Sequence, residues 1–445
     1  MTAPTKIIVL DDDPTGSQTV HSCLLLMQWD VETLRLGLRD AVPIFFILTN
    51  TRALSPQEAQ RVTREVCHNL KSALTAEGIE DFLVVSRSDS TLRGHYPLET
   101  DIIAQELGDF DAHFLIPAFF EGGRFTQDSI HYLMVDGMPT PVHETEFAQD
   151  SVFGYRHSYL PDYVAEKTRH QIPAEQVTRF LLEDIRQGTQ ARLRQLTHNQ
   201  CVVVDAESQA DLDRFAQDLL TVAAEGKHFL FRSAASILTS LANLGPQPVS
   251  AEKMAQYRPN QNTGAIIVGS HVKKSSAQLA ELLKLPDIVG IEINVEYLRD
   301  DCLTDETAWN TLLSDCLMTA QYNAGKTPVF YTSRQELTFP DVESRLAFGT
   351  EVSRFLMEIV RHLPTDISFL ISKGGITSND VLSTGLALRS ARLLGQILPG
   401  CSLVRTDADH PRFPNLPVVL FPGNVGDAQG LVTVYQRLSQ AALPA

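Results

Sequence analysis

The sequence lacks the motifs of several common enzyme classes. Its 445 residues contain no GxxxxGK[ST] loop, which Walker-type ATPases need, and no GxGxxG following a strand, as dinucleotide-binding folds have. A GxSxG elbow is absent, and so are HExxH and any other compact metal-binding cluster. These absences argue against an α/β-hydrolase and against a dedicated zinc site.

Basic charge and cysteine are also scarce. Lys and Arg number 37 against 54 Asp and Glu, for a net charge of −17, so we expect no nucleic-acid partner. The six cysteines are scattered without a CxxC pair, which is typical of reduced thiols in a cytoplasmic protein. The apolar run near the N-terminus covers only four residues, so we expect neither a signal peptide nor a membrane partner.

Short apolar runs of strand length recur along the chain, with amphipathic stretches between many of them. The runs are KIIVL, CLLLM, PIFFILT, FLVVS, HFLIP, CVVVD, HFLFR, AIIVG, DIVGIEI, PVFYT, ISFLIS and PVVLF. The amphipathic stretches include 55–75, 208–225, 307–323 and 341–362. This alternation predicts an α/β fold of mostly parallel sheets flanked by helices.

A change in composition divides the chain, which is too long for one ordinary core. Residues 244–263 are rich in Pro, Gln and Asn and carry no apolar period, which predicts a linker. We therefore predict two domains, 1–243 and 264–445, each with its own sheet. Within the first, residues 117–171 are aromatic and polar without a sustained period, which predicts a long irregular insertion with a functional role.

Ligands of open α/β sheets bind beyond the carboxyl ends of the strands. In the first domain these positions are polar: Asp11, Asp12, Asp13, Thr15, Arg87, Asp89, Ser90, Arg93 and Arg124. Arginine offers a planar fork for a carboxylate or phosphate, and aspartate can bind or deprotonate a hydroxyl. The group predicts a pocket for a small hydroxy acid. For any single residue, pairing with its neighbours at the loop ends is an equal alternative.

Three strands of the second domain lead into turns of small residues, each followed by a predicted helix. The turns follow AIIVGS, ISFLIS and PVVLF, and they include Gly374, Gly375 and Gly423. Backbone N–H groups and the helix dipole favour an anion at such places, and glycine permits a phosphate to approach closely. Three turns of this kind without a basic patch suggest a nucleotide.

A rival interpretation concerns the first strand. Asp11-x-Asp13-x-Thr15 after an apolar strand fits the DxDx[TV] motif of haloacid-dehalogenase-like phosphatases, in which Asp11 would be the nucleophile. Those enzymes also need a lysine and a downstream acidic pair in the same domain, and the first half offers no obvious strand-end acidic pair. The phosphatase stands as an alternative.

Seven motifs, in order, resemble those of the four-carbon acid sugar kinases. DDDPTGS is similar to the family's ADDLTGA, SDSTLRGH to K-x-DSTLRGN, IPAFFEGGRFT to APAFPxxGR, and VDGMP to V-x-G-x-P. In the second half GSHVKKSSAQ resembles GSCSxxTxxQ, KGGITSNDV the GGETS nucleotide loop, and PGNVGD the terminal SGNFG. Ile376 stands where the family has Glu.

The resemblance implies a sugar-acid domain followed by an ATP domain, with the active site in the interdomain cleft. The implied reaction is ATP-dependent phosphorylation of a hydroxyl on threonate, erythronate or an oxo-tetronate, with Mg²⁺ as cofactor, and a homo-oligomer is a further expectation. Asp12 and Asp13 would be catalytic, and the metal ligands stay unassigned. The implied substrate-binding residues are Thr15, Arg87, Asp89, Ser90, Arg93 and Arg124. The implied nucleotide-binding residues are Ser270, Ser275, Gly374, Gly375, Ile376, Thr377 and Gly423. A sugar-acid- and nucleotide-binding regulator without turnover is the remaining alternative.

Overall fold

The computed structural model describes residues 5–335, 337–423 and 425–439, and it divides the chain after Pro246 into two compact units. The elements of the first unit are β1 (Lys6–Asp11), β2 (Leu24–Leu26), α1 (Val31–Arg39), β3 (Ile44–Leu48), α2 (Pro56–Glu77), β4 (Phe82–Arg87), α3 (Leu98–Leu107), β5 (Ala112–Ile116), β6 (Arg124–Gln127), β7 (Ile130–Val135), β8 (Met138–Pro141), α4 (Leu160–Lys167), β9 (Thr178–Phe180), α5 (Leu182–Gln187), α6 (Gln190–Gln195), β10 (Gln200–Val204), α7 (Gln209–Ala223), β11 (Phe229–Ser233) and α8 (Ser236–Ala242).

The second unit begins with part of the stretch predicted as a linker, in which Ala251–Tyr257 form a 3-10 helix. Its further elements are β12 (Ala265–Val268), α9 (Lys273–Leu282), β13 (Ile288–Ile293), α10 (Val295–Tyr297), α11 (Glu306–Tyr322), β14 (Thr327–Thr332), α12 (Val342–His362), β15 (Leu370–Lys373), α13 (Gly375–Asp380), β16 (Ser390–Leu398), β17 (Cys401–Thr406), β18 (Pro417–Phe421) and α14 (Gly430–Ser439).

The strands of the first unit run in the order β2-β3-β1-β4-β11-β5-β10-β9, and each neighbouring pair is parallel. Ile8 of β1 and Val84 of β4 are fully buried and share one core with Val66 and Leu70 of α2. Strands covered on both faces need continuous apolar runs, which is how β1, β3 and β4 read in the sequence. Each such run of the sequence coincides with a strand, so the predicted α/β class is confirmed.

Local signals fix the ends of α2. The Ser55 side chain accepts from the backbone N–H of Glu58 and the Glu58 side chain accepts from that of Ser55, which completes the predicted capping box. A capping side chain of this kind stabilises a helix by about 1 kcal/mol. At the other end Gly78 adopts φ +63°, the left-handed conformation that glycine allows without strain.

The second unit has a mixed sheet. β13, β14, β12, β15 and β18 are parallel in that order, and β17 pairs antiparallel with both β18 and β16. Its core packs Ile266 of β12 and Ile371 of β15 against Leu279 of α9 and Leu431 of α14. As in the first unit, the carboxyl ends of the parallel strands lie along one edge of the sheet.

The segment 117–171 was predicted to be an irregular insertion, but it contains regular secondary structure. β6, β7 and β8 form a small antiparallel sheet, and α4 follows it. A half-buried strand usually shows apolar residues at alternate positions. In β6 and β7 the polar residues Thr126 and His131 occupy buried positions, so the sequence does not show that pattern. None of the helices in the described residues is long and apolar enough to cross a membrane.

Candidate active site

Asp11 is the buried member of the three aspartates at the end of β1. Its side chain is 0% exposed, and Arg87 Nη1 donates to its Oδ1 across 3.2 Å from the neighbouring strand. Burial raises the pKa of Asp11 to about 7, with Arg87 opposing the shift and the neighbouring Asp12 and Asp13 adding to it. Its Oδ2 has no hydrogen-bond partner, and a Cβ added to Gly16 would lie 2.1 Å from both carboxylate oxygens. Asp11 is therefore closed off from any ligand.

Asp12 and Asp13 share one arginine but differ in exposure. Arg52 Nη2 lies 2.8 Å from Asp12 Oδ1 and 3.3 Å from Asp13 Oδ2. Asp12 is buried, and its Oδ2 accepts from Ser88 Oγ at 2.6 Å. The Asp13 side chain is 26% exposed, and its Oδ1 accepts from the Thr15 backbone N–H at 2.8 Å. Asp13 thus presents an accessible carboxylate oxygen at this turn.

The pKa of Asp13 is held below its usual value. Burial acts to raise it, but the guanidinium groups of Arg52 and Arg87 and the hydrogen bonds from Thr15 outweigh that effect. Asp13 is therefore ionised at neutral pH and can accept a hydrogen bond or a proton.

Arg52 is the residue that the sequence prediction missed at this place. It lies in the 3-10 helix Thr51–Ala53 directly after β3, and its backbone N–H donates to Asp12 O at 3.3 Å. A third acid, Asp89, lies 3.6 Å from its Nη1. The Arg52 guanidinium therefore pairs with carboxylates that follow two strands, Asp12 and Asp13 after β1 and Asp89 after β4. The run PIFFILT predicts the strand, but Arg52 follows it four residues after the last strand residue, Leu48, inside the 3-10 helix.

A second arginine, Arg232, lies within β11 and is also absent from the sequence prediction. It is buried, and its Nη1 donates to Glu99 Oε2 at 2.5 Å and to Ser86 Oγ at 2.8 Å. Its Nη2 donates to Ser88 Oγ at 2.7 Å. The position of Ser88, and through it that of Asp12, is thus fixed by a buried ion pair between β11 and α3.

The three arginines predicted to bind substrate have different surroundings. Arg87 is buried against Asp11. Arg93 Nε lies 2.8 Å from Asp89, and the Arg93 guanidinium lies 4.9 Å from the ring centroid of Phe147. Arg124 is half-buried and donates to Gly122 O at 2.6 Å, and it has no carboxylate within 4 Å among the residues described. Its Nε is buried without a hydrogen-bond partner, and burial lowers the pKa of Arg124, with Asp89 opposing the shift and Arg93 adding to it. Because Arg124 is only half-buried, part of its side chain is open to an external anion, whereas the Nε is not.

The predicted Asp89 and Ser90 anchor the segment after β4. Arg52 and Arg93 hold the pKa of Asp89 well below its usual range, against the effect of its burial. The Ser90 carbonyl accepts from His131 Nε2 at 2.8 Å, and His131 Nδ1 lies 2.9 Å from Thr126 Oγ1. Burial lowers the pKa of His131 to about 4, so a neutral imidazole links the small sheet to this segment.

The turns of the second unit bring most of the predicted nucleotide residues together. Ser275 Oγ lies 2.9 Å from Ser270 Oγ and 3.0 Å from the Gly423 carbonyl oxygen. Gly374 has φ +125°, and a Cβ there would lie 3.1 Å from Ser270 Cβ. A Cβ on Gly423 would lie 3.0 Å from Ser270 Oγ, so side chains larger than glycine would crowd both turns.

The remaining residues of this group start α13. Gly375 begins the helix, Thr377 is buried, and Ile376 is 70% exposed, an unusual position for a large apolar side chain. Lys373, the residue before Gly374, is wholly buried at the end of β15 and is not among the residues that the sequence predicts for this site. No cluster of three or more His, Cys, Asp or Glu that could hold a metal ion occurs in the described part of the chain.

Comparisons with known proteins agree with this organisation. A family profile described as a sugar-binding N-terminal domain matches residues 7–241, and one described as a nucleotide-binding C-terminal domain matches 265–431. A D-erythronate kinase of Heliobacterium modesticaldum is 26% identical over 315 residues, a match that covers 66% of this chain and 64% of the relative. The match therefore spans less than two thirds of that relative's length.

Two solved structures share the fold. A protein of Salmonella typhimurium LT2 described as a tRNA synthase has a TM-score of 0.71 at 18% identity, over 98% of both chains. A Haemophilus influenzae protein, from a family of undescribed function, has a TM-score of 0.65 at 16% identity, over 97% of this chain and all of the other. At such identities the likeness extends to the fold alone.

The fold and the two profiles define a protein with a sugar-binding α/β domain followed by a nucleotide-binding one. The chain belongs to the four-carbon acid sugar kinase family, which confirms the resemblance drawn from its motifs.

Proposed function

We propose that the protein is an ATP-dependent kinase that phosphorylates a hydroxyl of a four-carbon sugar acid. The observation that carries the proposal is the contrast between two groups of the first unit. Asp13 presents an accessible, ionised carboxylate, and Arg124 is a half-buried cation with no carboxylate within 4 Å in the described chain, Asp89 acting on it from farther away. A hydroxy acid needs both kinds of group, one for its hydroxyl and one for its carboxylate.

In this proposal Asp13 orients the attacking hydroxyl and takes its proton as the oxygen bonds to the γ-phosphorus of ATP and ADP leaves. Arg52 fixes Asp13 by holding it together with Asp12. Arg124, which is half-buried, pairs with the substrate carboxylate through its guanidinium charge. The charge and position of these groups supply most of the catalysis, as is usual for phosphoryl transfer.

The second unit would hold the nucleotide at the turns of Ser270, Gly374 and Gly423, where glycine leaves room for phosphates. ATP would supply the phosphoryl group there. We expect Mg²⁺ to bind mainly through the phosphates, because it keeps several waters and uses only one or two protein carboxylates.

The phosphatase alternative is not favoured. A nucleophilic aspartate must reach a phosphorus atom, but the Asp11 carboxylate is buried beneath Gly16. The structure offers Asp11 no open path to a substrate of that size.

The test is an assay of the full chain with ATP and Mg²⁺ against D- and L-erythronate, D- and L-threonate and 3-oxo-tetronates, read as ADP release and as phosphorylated acid by mass spectrometry. We expect one or more acids to be phosphorylated. Asp13→Asn should lower kcat by about 10²- to 10⁴-fold, and the exposed Asp109→Asn should not change it.

Arg124→Met should raise the KM for the acid by at least about tenfold without changing the KM for ATP, since one charge-assisted pair is lost. The exposed Arg156→Met is its control. Binding of both ligands without any product would instead favour a regulator, and full activity of Asp13→Asn would remove Asp13 from the catalytic role.

A further inference from the structure

Lys373 links two glycine turns of the second unit: it directly precedes Gly374, and its side chain bonds the turn that contains Gly423. Its Nζ donates to the carbonyl oxygens of Pro422 and, at 3.2 Å, of Gly423. The same Gly423 oxygen lies 3.0 Å from Ser275 Oγ on α9. One carbonyl group therefore ties the end of β15, the turn after β18 and the first turn of α9 together.

The charge of Lys373 is poorly compensated. The side chain is 0% exposed, and no carboxylate in the described residues lies within 4 Å of Nζ, which has only two carbonyls and the Phe421 ring, 4.0 Å from its centroid. Burying an ammonium group without a counter-ion is costly. Carbonyl dipoles and a ring face offset part of that cost.

The titratable groups that face Lys373 are Lys274 at the start of α9 and Cys401 on β17. Burial lowers the pKa of Lys373 to about 7, Lys274 lowers it further, and Cys401 opposes the shift. An anion seated over the turns would favour the charged form.

We propose that Lys373 is a positioning residue for the nucleotide, which holds the Pro422–Gly423 turn against Ser275 and places a positive charge beneath the bound phosphates. The inference rests on the proposed function, in particular on nucleotide binding by the second unit. Lys373 acts through the turn, because its own nitrogen is buried beneath the Pro422 and Gly423 carbonyls.

The proposal predicts a dependence of nucleotide affinity on pH. Below pH 7 Lys373 is charged in the free protein. Above pH 7 it is neutral and must take up a proton when the nucleotide binds. Nucleotide affinity should therefore fall as the pH rises from 7 to 9. The terminal phosphate of the nucleotide titrates near neutrality as well. The informative quantity is therefore the ratio of dissociation constants between wild type and Lys373→Arg, a variant that stays charged throughout.

The experiment measures ADP·Mg binding to the full chain by calorimetry at pH 7, 8 and 9 for wild type, Lys373→Arg, Lys373→Met and the exposed Lys326→Met as control. We expect Lys373→Met to bind about tenfold or more weakly at pH 7, the size of a lost hydrogen bond from a charged group. Lys373→Arg should bind more tightly than Lys373→Met, and the wild-type to Lys373→Arg ratio should rise with pH. Lys326→Met should match wild type.

Wild-type affinity in a folded Lys373→Met would overturn the inference and leave the proposed function standing. A pH-independent ratio between wild type and Lys373→Arg would overturn it as well, even where Lys373→Met does not fold. Absence of nucleotide binding by the wild-type protein would overturn the nucleotide half of the proposed function and this inference with it.

Discussion

Arg52 Nη2 donates to Asp12 Oδ1 across 2.8 Å, and the Asp12 side chain at the other end of this ion pair is only 2% exposed. The pair joins the end of β3 to the end of β1. It also sets where Asp13 lies, since the same Nη2 is 3.3 Å from Asp13 Oδ2.

Arg52→Met should destabilise the protein. Removing one partner of a buried ion pair costs about 3–5 kcal/mol in the free energy of unfolding, and we expect the lower end here because Arg87 Nη1 remains 3.8 Å from Asp12 Oδ1. Arg52→Lys keeps the charge but cannot bridge carboxylates with a planar fork, so we expect a smaller loss of stability together with a lower kcat. Urea unfolding and steady-state kinetics measure the two effects. The exposed Arg61→Met is the control, and a wild-type unfolding midpoint for Arg52→Met would contradict the assignment.

Asp11→Asn should change how stability depends on pH. The pKa of Asp11 is raised by burial to about 7 from an ordinary 3.8, so the folded protein keeps this proton where the unfolded chain has lost it. This contribution to stability is fully present below pH 3.8 and is lost as the pH rises through about 7. The free energy of unfolding of wild type relative to Asp11→Asn should therefore fall by up to about 1.4 kcal/mol per pH unit.

Guanidinium unfolding of both proteins at several values between pH 4 and 8 measures this difference. The exposed Asp109→Asn should run parallel to wild type over the same range. Parallel curves for wild type and Asp11→Asn would show that Asp11 is ionised in the folded protein throughout.

Gly16→Ala and Gly349→Ala should act in opposite directions. The added methyl at Gly16 would lie 2.1 Å from the Asp11 carboxylate, a buried group with little room to move, and such overpacking costs about 1–3 kcal/mol. Gly349 is an exposed residue of α12 with nothing within 4 Å of the added atom, so alanine should stabilise that helix by about 0.5–1 kcal/mol. Thermal unfolding midpoints compare the two, and a Gly16→Ala protein as stable as wild type would refute the close contact.

The sequence predicted the parallel strands and many of the residues at their ends, because a strand buried on both faces reads as one apolar run and the residue after it marks the sheet edge. It did not predict β16 and β17, in which Arg392, Gln396 and Arg405 interrupt the apolar pattern. The small sheet of β6–β8 was missed for the similar reason that Thr126 and His131 occupy buried positions.

The missed site residues have a common cause. Arg232 and Lys373 belong to strands, where a charged residue at the end of an apolar run carries no sign that it is buried. Their roles depend on partners far along the chain, such as Glu99 for Arg232 and Gly423 for Lys373. Asp11 could be separated from Asp12 and Asp13 in the sequence only through the resemblance, and its burial is visible only in three dimensions.

Ser88 gives the site two arrangements of protons. Its Oγ accepts from Arg232, and it lies within donating distance of both Asp12 Oδ2, at 2.6 Å, and the Arg93 carbonyl oxygen, at 2.9 Å. A hydroxyl has one proton to give, so these two acceptors are served in alternation by rotation about a single C–O bond. Because Ser88 is buried, an incoming hydroxyl group would sense this choice only through the positions of Asp12 and Arg93.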